Sequence, residues 1–563
     1  MDYYDLGTYS RPVTTSSPEA QRWFDRGLVW TYAFNHEEAV SCFEAAAAAD
    51  PGCAMAYWGI AYALGPNYNK PWEFFDTQDL ARTVERTHAA VERAHEKAET
   101  GATPVERALI GALRARYPQA AAVEDCSVWN APYADSMRAV HELAPDDPDI
   151  TTLYADALMN LTPWRLWNLR TGEPAEGART IEAKAVLDRA VATEAGAGHL
   201  GILHMYIHLM EMSPTPEAAL PAADRLRRLV PDAGHLLHMP SHIEVLCGDY
   251  RRVVSDNEDA IAADEKFHAR AGAMNFYTLY RSHNHHFKIY GAMFLGRFRT
   301  ALEAAARLEA SVPEELLRVQ SPPMADWLEG FLAMRVHVLI RFGRWDDILR
   351  MPRPADPELY SVSTAMLHYG RGVAFSATGR VAEAEAERRL FGEAVDRVPR
   401  TRMLFNNTCA DILAIASAML DGELAYRKGD HDAAFAALRR SIELDDNLPY
   451  DEPWGWMQPT RHAYGALLLE QGRVAEAEAV YRADLGLDDT LPRAAQHPGN
   501  VWALHGLHEC LVRLGKAGEA QIVAQKLKIA VALADVPVEA SCFCRLDAVS
   551  GTAEAEGCCT TEH

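Results

Sequence analysis

The chain has 563 residues, of which 49% are hydrophobic and 9% aromatic, and its formal net charge is −24. This apolar content supports a large folded core and excludes an intrinsically disordered chain. The negative charge argues against binding to nucleic acid or to an anionic membrane surface, because both partners require clustered basic residues. No apolar run reaches 18 residues and the first residues lack the pattern of a secretory signal, so we expect a cytoplasmic protein without a transmembrane helix.

Helical periodicity runs along the whole chain and predicts an all-α protein. Residues 1–60 contain a first helical hairpin in which small residues stand where two helices must approach closely. Pro51 follows the hairpin and stops its second helix. Its large, small and proline positions match the pattern of a tetratricopeptide repeat (TPR), and they are Trp23, Gly27, Trp30, Ala39, Phe43, Ala46 and Pro51.

Residues 61–195 are less regular, because segments rich in Trp, Asn and Pro such as GPNYNKPWEFF and NLTPWRLWNLRTGEP interrupt the helical pattern. Loops of this composition can line a pocket or can be packed connections between repeats. We therefore expect an irregular helical region here, with both roles open.

Regular hairpins return in residues 196–310 and 311–535, where a turn glycine is followed five residues later by a small or apolar residue. A single match would mean little, but seven matches predict an α-solenoid of TPR-like helical hairpins. The intervals vary from 36 residues (Gly343 to Gly379) to 50 residues (Gly379 to Gly429), which predicts elongated repeats curled into a closed cup. The seven glycines are Gly248, Gly296, Gly343, Gly379, Gly429, Gly472 and Gly515.

Histidines are concentrated in the third region, where residues 199–286 contain ten of the 22 in the chain. His204 and His208 are four residues apart, as are His238 and His242. Residues at this spacing share one face of a helix, and the repeat register predicts that both pairs lie on first, inner helices of neighbouring hairpins. Imidazole is the commonest metal ligand in proteins, so we predict that these four side chains bind a metal ion.

Two further residues have predicted catalytic roles in proton transfer, namely Glu211, three residues after His208, and His286. Both are also candidates for additional metal ligands. His235 and His283 would be either additional ligands or groups that orient the other imidazoles. The alternatives for the cluster are a metal-free His/Glu polar network or acid–base site, and unrelated surface histidines.

Several strings of this sequence resemble a bacterial group of TPR-repeat proteins that carry an HMPSHI histidine motif. The strings are FNHEEAVSCFEAAAAADPG, HMYIHLME, HLLHMPSHIEVLCGDY, YRSHNHHF and HPGNVWALHGLHECL. The similarity extends over nearly the whole chain and implies the TPR-like fold and the unusual histidines. It implies no particular reaction.

The last region, residues 536–563, is rich in cysteine. A large cytosolic chain is expected to keep its cysteines reduced, so this tail could bind a soft metal ion through thiolates or be a frayed terminus. Its cysteines are Cys542, Cys544, Cys558 and Cys559.

These observations favour a metal-dependent enzyme that acts on a small organic substrate at a histidine-rich site. Copper would indicate oxidative chemistry and zinc would indicate hydrolysis, and an oxidoreductase is favoured slightly over a hydrolase. The alternatives are a TPR scaffold that binds a protein or peptide on its concave face, and a metal storage or delivery protein.

Overall fold

The computed structural model describes residues 3–546. Contacts between residues divide this part of the chain into two compact units. The first unit contains residues 3–243, 256–281 and 319–323, and the second contains residues 244–255, 282–318 and 324–546. Within residues 3–546, no helix is both long enough and apolar enough to cross a membrane.

Consecutive helices of the first unit pack against each other, as α1 does with α2, α3 with α4 and α5 with α6. Short 3-10 turns at Trp72–Phe74, Cys126–Trp129 and Pro216–Ala219 lie in the connections. The helices are α1 (Pro18–Tyr32), α2 (His36–Ala49), α3 (Ala54–Leu64), α4 (Thr77–Ala98), α5 (Pro104–Arg116), α6 (Asn130–Leu143), α7 (Pro148–Met159), α8 (Thr180–Val191), α9 (Glu194–Ala197), α10 (Leu200–Met210), α11 (Leu220–Leu226) and α12 (Gly234–His238).

Three helices have residues in both units: α13 (Pro240–Cys247), α14 (Tyr250–Ala271) and α15 (Thr278–Phe294). In the second unit the same pairing of consecutive helices recurs, for example α21 with α22 and α23 with α24. Its helices are α16 (Phe298–Ser311), α17 (Glu314–Leu317), α18 (Met324–Leu328), α19 (Met334–Arg341), α20 (Trp345–Arg350), α21 (Ser361–Ala377), α22 (Val381–Val395), α23 (Cys409–Arg427), α24 (His431–Asp445), α25 (Thr460–Glu470), α26 (Val474–Asp484), α27 (Val501–Arg513) and α28 (Ala517–Leu533), with 3-10 turns at Glu329–Ala333 and Arg493–Ala495. One antiparallel pair of two-residue strands, β1 (Met403–Leu404) and β2 (Asn407–Thr408), accompanies them.

The small residues of the first hairpin have the packing role that the sequence pattern predicts. Gly27 of α1 and Gly59 of α3 both face the ring of Phe43 on α2, and a Cβ atom at either glycine would overlap that ring. Phe43 is fully buried. Glycine is therefore required at both positions for α1, α2 and α3 to pack around one aromatic side chain.

The turns between helices explain the repeated glycines. All seven predicted turn glycines have left-handed backbone angles, with φ between +62° and +81°, a conformation that glycine adopts without steric cost. In the first hairpin the corresponding residue, five positions before Ala39, is Phe34, and its φ is +54°. A bulky side chain in this conformation is unusual and indicates a local requirement for that side chain.

The prediction of an all-α chain of TPR-like helical hairpins is therefore confirmed. Residues 61–195, predicted to be irregular, contain helices α4 to α8 joined by loops. Closure of the solenoid into a cup stays a prediction, as do the boundaries of the five predicted regions.

The structure describes residues 536–546 of the predicted C-terminal tail. Cys542 and Cys544 form a disulfide, so in this form neither offers a thiolate to a metal ion. The segment is held in place rather than frayed, because the Arg341 and Arg427 side chains donate hydrogen bonds to the backbone carbonyls of Ser541 and Cys544. Cys558 and Cys559 lie outside the described residues.

Candidate metal centre

Helix α10 presents the first histidine pair. The His199 side chain accepts a hydrogen bond from the Ile202 amide and caps the helix start, which satisfies one of the free N–H groups there. Every residue of α10 is buried. His204 and His208 therefore share one face of a helix that is enclosed by protein, as their spacing predicts.

The second pair lies where α12 passes into α13. Pro240 has no N–H to donate and interrupts the helical hydrogen bonds, so the predicted single helix is divided into two short ones. Met239 between them still has helical backbone angles, with φ −52° and ψ −37°. Because the turn continues through Met239, His238 and His242 keep the relationship of residues one helical turn apart.

The imidazoles of five histidines in the first unit form a closed circuit, in which each contacts the next. The centroid distances are 4.8 Å from His204 to His208, 5.6 Å from His208 to His242, and 4.6 Å from His242 to His238. His235 completes the circuit at 5.8 Å from His238 and 5.0 Å from His204. None of the five has more than 1% of its surface exposed. The four predicted ligands are thus brought together, and His235 joins them. We call this group the histidine ring.

In two of these histidines, Nδ1 donates a hydrogen bond to an uncharged acceptor. His204 Nδ1 lies 2.6 Å from the backbone carbonyl of Tyr32, which can only accept a hydrogen bond. His238 Nδ1 lies 2.7 Å from Asn257 Oδ1, and the amide nitrogen of Asn257 donates to Ser241 Oγ, which fixes the orientation of the amide. In both histidines the proton is therefore on Nδ1 and the lone pair is on Nε2.

Glu211 supplies the Nδ1 acceptor for the other two predicted ligands, His208 and His242. Its carboxylate accepts hydrogen bonds from His208 Nδ1 at 3.0 Å and from His242 Nδ1 at 2.7 Å. The three side chains are buried and come from two separate segments of the chain. A carboxylate behind an imidazole raises its basicity and fixes the tautomer that presents Nε2.

All four predicted ligands thus present Nε2 as an electron-pair donor. Among residues 3–546, the Nε2 atoms of His204 and His208 have no hydrogen-bond partner. His238 Nε2 and His242 Nε2 lie 2.7 Å apart. Two lone pairs at this distance repel each other unless a proton or a metal ion lies with them.

Burial opposes the protonation of His204, His208, His235 and His238. It lowers the pKa of His204 to about 3. Burial, and then the neighbouring imidazoles, lower the pKa of His208 and His235 well below the usual range, and the pKa of His238 is lowered by burial and by His242. At neutral pH these side chains are therefore uncharged, the form in which imidazole binds metals.

An aromatic shell surrounds the histidine ring. The Phe34 ring lies 4.5 Å from His204, 5.2 Å from His235 and 5.7 Å from His208, measured between centroids. Tyr68 and Trp164 approach His208 at 4.9 Å and 5.8 Å, and Tyr280 approaches His235 at 5.1 Å. The unusual backbone of Phe34 therefore places an aromatic face against three imidazoles.

The remaining predicted residues belong to the second unit. His286 Nε2 lies 2.8 Å from Met457 Sδ, and its ring packs edge-on against Phe331 at 5.3 Å. Burial lowers the pKa of His286 to about 3. His283 packs against Phe405 at 4.5 Å. The catalytic role of His286 stays a prediction.

Sequence reasoning did not identify the carbonyl of Tyr32, Asn257 or Phe34 as parts of this centre. A signal existed only for Phe34, which occupies the turn position that glycine has in seven other hairpins. Tyr32 contributes a backbone atom, and Asn257 lies on α14 among polar residues of similar character. Neither has a pattern that would distinguish it.

No protein-family model and no curated protein matches this chain. Among solved structures, the APC/C hetero-tetramer Cut9–Hcn1 is 14% identical, with 87% of this chain and 76% of that chain covered and a TM-score of 0.29. Naa15/Naa10 bound to HypK is 12% identical, with 95% and 74% covered and a TM-score of 0.20. A monomeric mutant of IFIT1 with Gppp-AAAA is 11% identical, with 84% and 90% covered and a TM-score of 0.31. At such scores the likenesses carry no inference about function, and the assignment of TPR-like hairpins depends on the helix pairs and turns of this chain.

Proposed function

We propose that the protein binds a transition-metal ion at the histidine ring and uses it to act on a small organic substrate. The observation that carries this proposal is the arrangement of tautomers. His204, His208, His238 and His242 each have an acceptor at Nδ1, which leaves the lone pair on Nε2. Protein metal sites use this pattern to orient histidine ligands.

A metal ion explains the histidine ring better than a polar network without metal. Buried polar atoms normally find hydrogen-bond partners, because an unsatisfied one costs about 1–3 kcal/mol. In the described structure the Nε2 atoms of His204 and His208 and both ring nitrogens of His235 have none. One bound cation would satisfy several of these lone pairs at once.

The donor set indicates which ions are suitable. Imidazole nitrogen with a carboxylate behind it suits zinc, copper, nickel and iron, and the general affinity order favours copper. We therefore propose copper or zinc. When bound, such an ion supplies Lewis-acid activation of water or substrate, or one-electron redox chemistry in the case of copper.

Glu211 is better suited to orient ligands than to transfer protons. Both of its oxygens accept hydrogen bonds from imidazole Nδ1 atoms, so the predicted proton-transfer role would require it to leave one of them. We propose that Glu211 is a positioning residue. Complete burial of the ligands also predicts slow metal exchange, which favours a resident ion over one that is stored or delivered.

Metal analysis of protein purified without a polyhistidine tag tests the proposal. We expect about one equivalent of copper or zinc, which the His208→Ala/His242→Ala double variant should lose while keeping its helical circular dichroism. The matched control removes two histidines of α4, in His88→Ala/His95→Ala, and should keep its metal. Metal-free wild type that takes up neither ion on titration would refute the proposal.

A scaffold function is the second candidate, and it has one observation in its favour. The last hairpin exposes large apolar side chains, with Ile522 63% and Ile529 68% accessible on α28 and Val512 58% accessible on α27. Exposed apolar clusters are typical of protein–protein contacts. A scaffold would purify without stoichiometric metal and would keep its partner binding after removal of the histidine pair, whereas an Ile522→Glu/Ile529→Glu variant would lose that binding.

A further inference from the structure

A cavity of about 460 Å³ lies within the first unit, next to the histidine ring. Its walls come from the start of α2, the end of α3, the loop between α3 and α4, the N-terminal half of α4, and the segment that leads into the first turn of α15. A cavity of this size is within the range of small-molecule sites and is about three times the volume that holds one benzene molecule.

Aromatic side chains form a large part of the cavity wall. Phe34, Phe75, Phe276, Tyr277 and Tyr280 all line it. Their faces and edges favour a flat, apolar molecule, because stacked and edge-on aromatic contacts are attractive beyond the area that they bury.

The charged residues of the cavity favour an anion, although the whole chain has a net charge of −24. Three cationic side chains, Lys70, Arg82 and Arg86, line the cavity together with two carboxylates, Glu37 and Asp79. Burial raises the pKa of Glu37 above its usual value, and a hydrogen bond from the Phe276 backbone and the charge of Lys70 oppose this rise. Three cations against two carboxylates leave the lining of this cavity with a local excess of positive charge.

Two of these cations can turn to a ligand at low cost. The side chains of Arg82 and Arg86 are 52% and 55% exposed, and their ion pairs with Asp79 and Glu44 are long, at 3.6 Å and 3.4 Å. Exposed pairs of this kind contribute little stability. Lys70 is more firmly held, since its Nζ lies 2.6 Å from Asp79 and 4.0 Å from the centre of the Phe75 ring.

The cavity and the histidine ring share two side chains. Phe34 and Tyr280 line the cavity and also contact imidazoles of the histidine ring, Phe34 at 4.5 Å from His204 and Tyr280 at 5.1 Å from His235. A molecule in the cavity would therefore lie one aromatic ring away from the proposed metal site.

We propose that this cavity binds an aromatic carboxylate, with the ring between the aromatic walls and the carboxylate at Arg82 and Arg86. Guanidinium groups recognise carboxylates through paired hydrogen bonds. The binding site is distinct from the metal ligands, and the proposal does not depend on a bound metal.

Calorimetric titration of the full-length, chelator-treated protein with cinnamate tests the proposal. We expect saturable binding of cinnamate, and much weaker binding of cinnamyl alcohol, which has the same ring but no charge. The Arg82→Gln/Arg86→Gln variant should raise the Kd for cinnamate about tenfold or more. The control Arg299→Gln, in which an arginine that is 84% exposed is changed, should leave the Kd unchanged.

Failure of this proposal is distinguishable from failure of the metal proposal. Absence of cinnamate binding, equal binding of cinnamyl alcohol, or an unchanged Kd in the double arginine variant would each overturn the carboxylate site, whatever the metal content. Conversely, a protein that takes up no metal but binds cinnamate through Arg82 and Arg86 would refute the metal site and support the cavity site.

Discussion

Replacing Glu211 with glutamine is the sharpest test of the tautomer argument. The substitution keeps the shape of the side chain but presents one oxygen and one NH₂ group where the carboxylate presents two oxygens. His208 Nδ1 and His242 Nδ1 both donate to that carboxylate, at 3.0 Å and 2.7 Å. The imidazole that meets the NH₂ group must therefore turn its Nδ1 lone pair to it and place its proton on Nε2.

A histidine in that tautomer can no longer bind the metal through Nε2. Loss of an orienting partner typically weakens metal binding roughly 10–100-fold, which corresponds to about 1.4–2.7 kcal/mol. Competition of Glu211→Gln against a chromophoric chelator of known affinity, near neutral pH, measures this change directly. The helical circular dichroism should match that of the wild type.

The control for the lost charge is Glu217→Gln, an exposed position six residues further along the chain. It removes the same negative charge from the same unit without touching an imidazole, and its metal affinity should equal that of the wild type. If Glu211→Gln binds metal within about twofold of the wild-type affinity, Nδ1 donation to Glu211 does not set the ligand tautomer and the reasoning is wrong.

Three further outcomes are expected. Phe34→Gly should lower the free energy of unfolding by about 2 kcal/mol in urea titrations, because the loss of a buried Phe side chain outweighs the relief of its left-handed backbone. The control Gly472→Ala measures the backbone cost alone, about 1–2 kcal/mol. No atom lies within 4 Å of the added Cβ at Gly472. If Phe34→Gly is instead more stable than wild type, the ring has no structural role. Burial alone would raise the pKa of Asp149, but the hydrogen bond from His199 and the charge of Arg11 outweigh burial and hold that pKa well below its usual range. The carboxylate of Asp149 therefore stabilises the fold above about pH 4 and loses this contribution on acidification. The difference in free energy of unfolding between wild type and Asp149→Asn should narrow from about pH 5 to about pH 3. A difference that stays constant over this range would contradict a lowered pKa of Asp149. Finally, copper or zinc at about 100 times its Kd should raise the free energy of unfolding by about 2.7 kcal/mol, and an equal rise in the double histidine variant would show that the ion binds elsewhere.

The local architecture of this protein is encoded by short-range patterns in its sequence. Gly27 and Phe43 predict a TPR-like hairpin because only a small residue lets two helices pack around a buried ring, and the structure has that packing. The seven glycines predict turns between helices, and all of them have the left-handed backbone that glycine adopts without steric cost. The spacing of His204 and His208 likewise requires only helical geometry, so both pairs could be placed on helix faces without knowledge of the fold.

The chemical state of the histidines depends on contacts between distant segments. His204 receives its Nδ1 acceptor from Tyr32, 172 residues earlier in the chain, and His238 receives its acceptor from Asn257 on another helix. The sequence relates Glu211 only to His208, three residues before it, and predicts proton transfer, whereas the fold also brings His242 to the second oxygen of Glu211. Helical periodicity determines which residues share a face, but tertiary packing decides which carbonyl, amide or carboxylate meets each imidazole, and therefore which nitrogen is left to bind a metal.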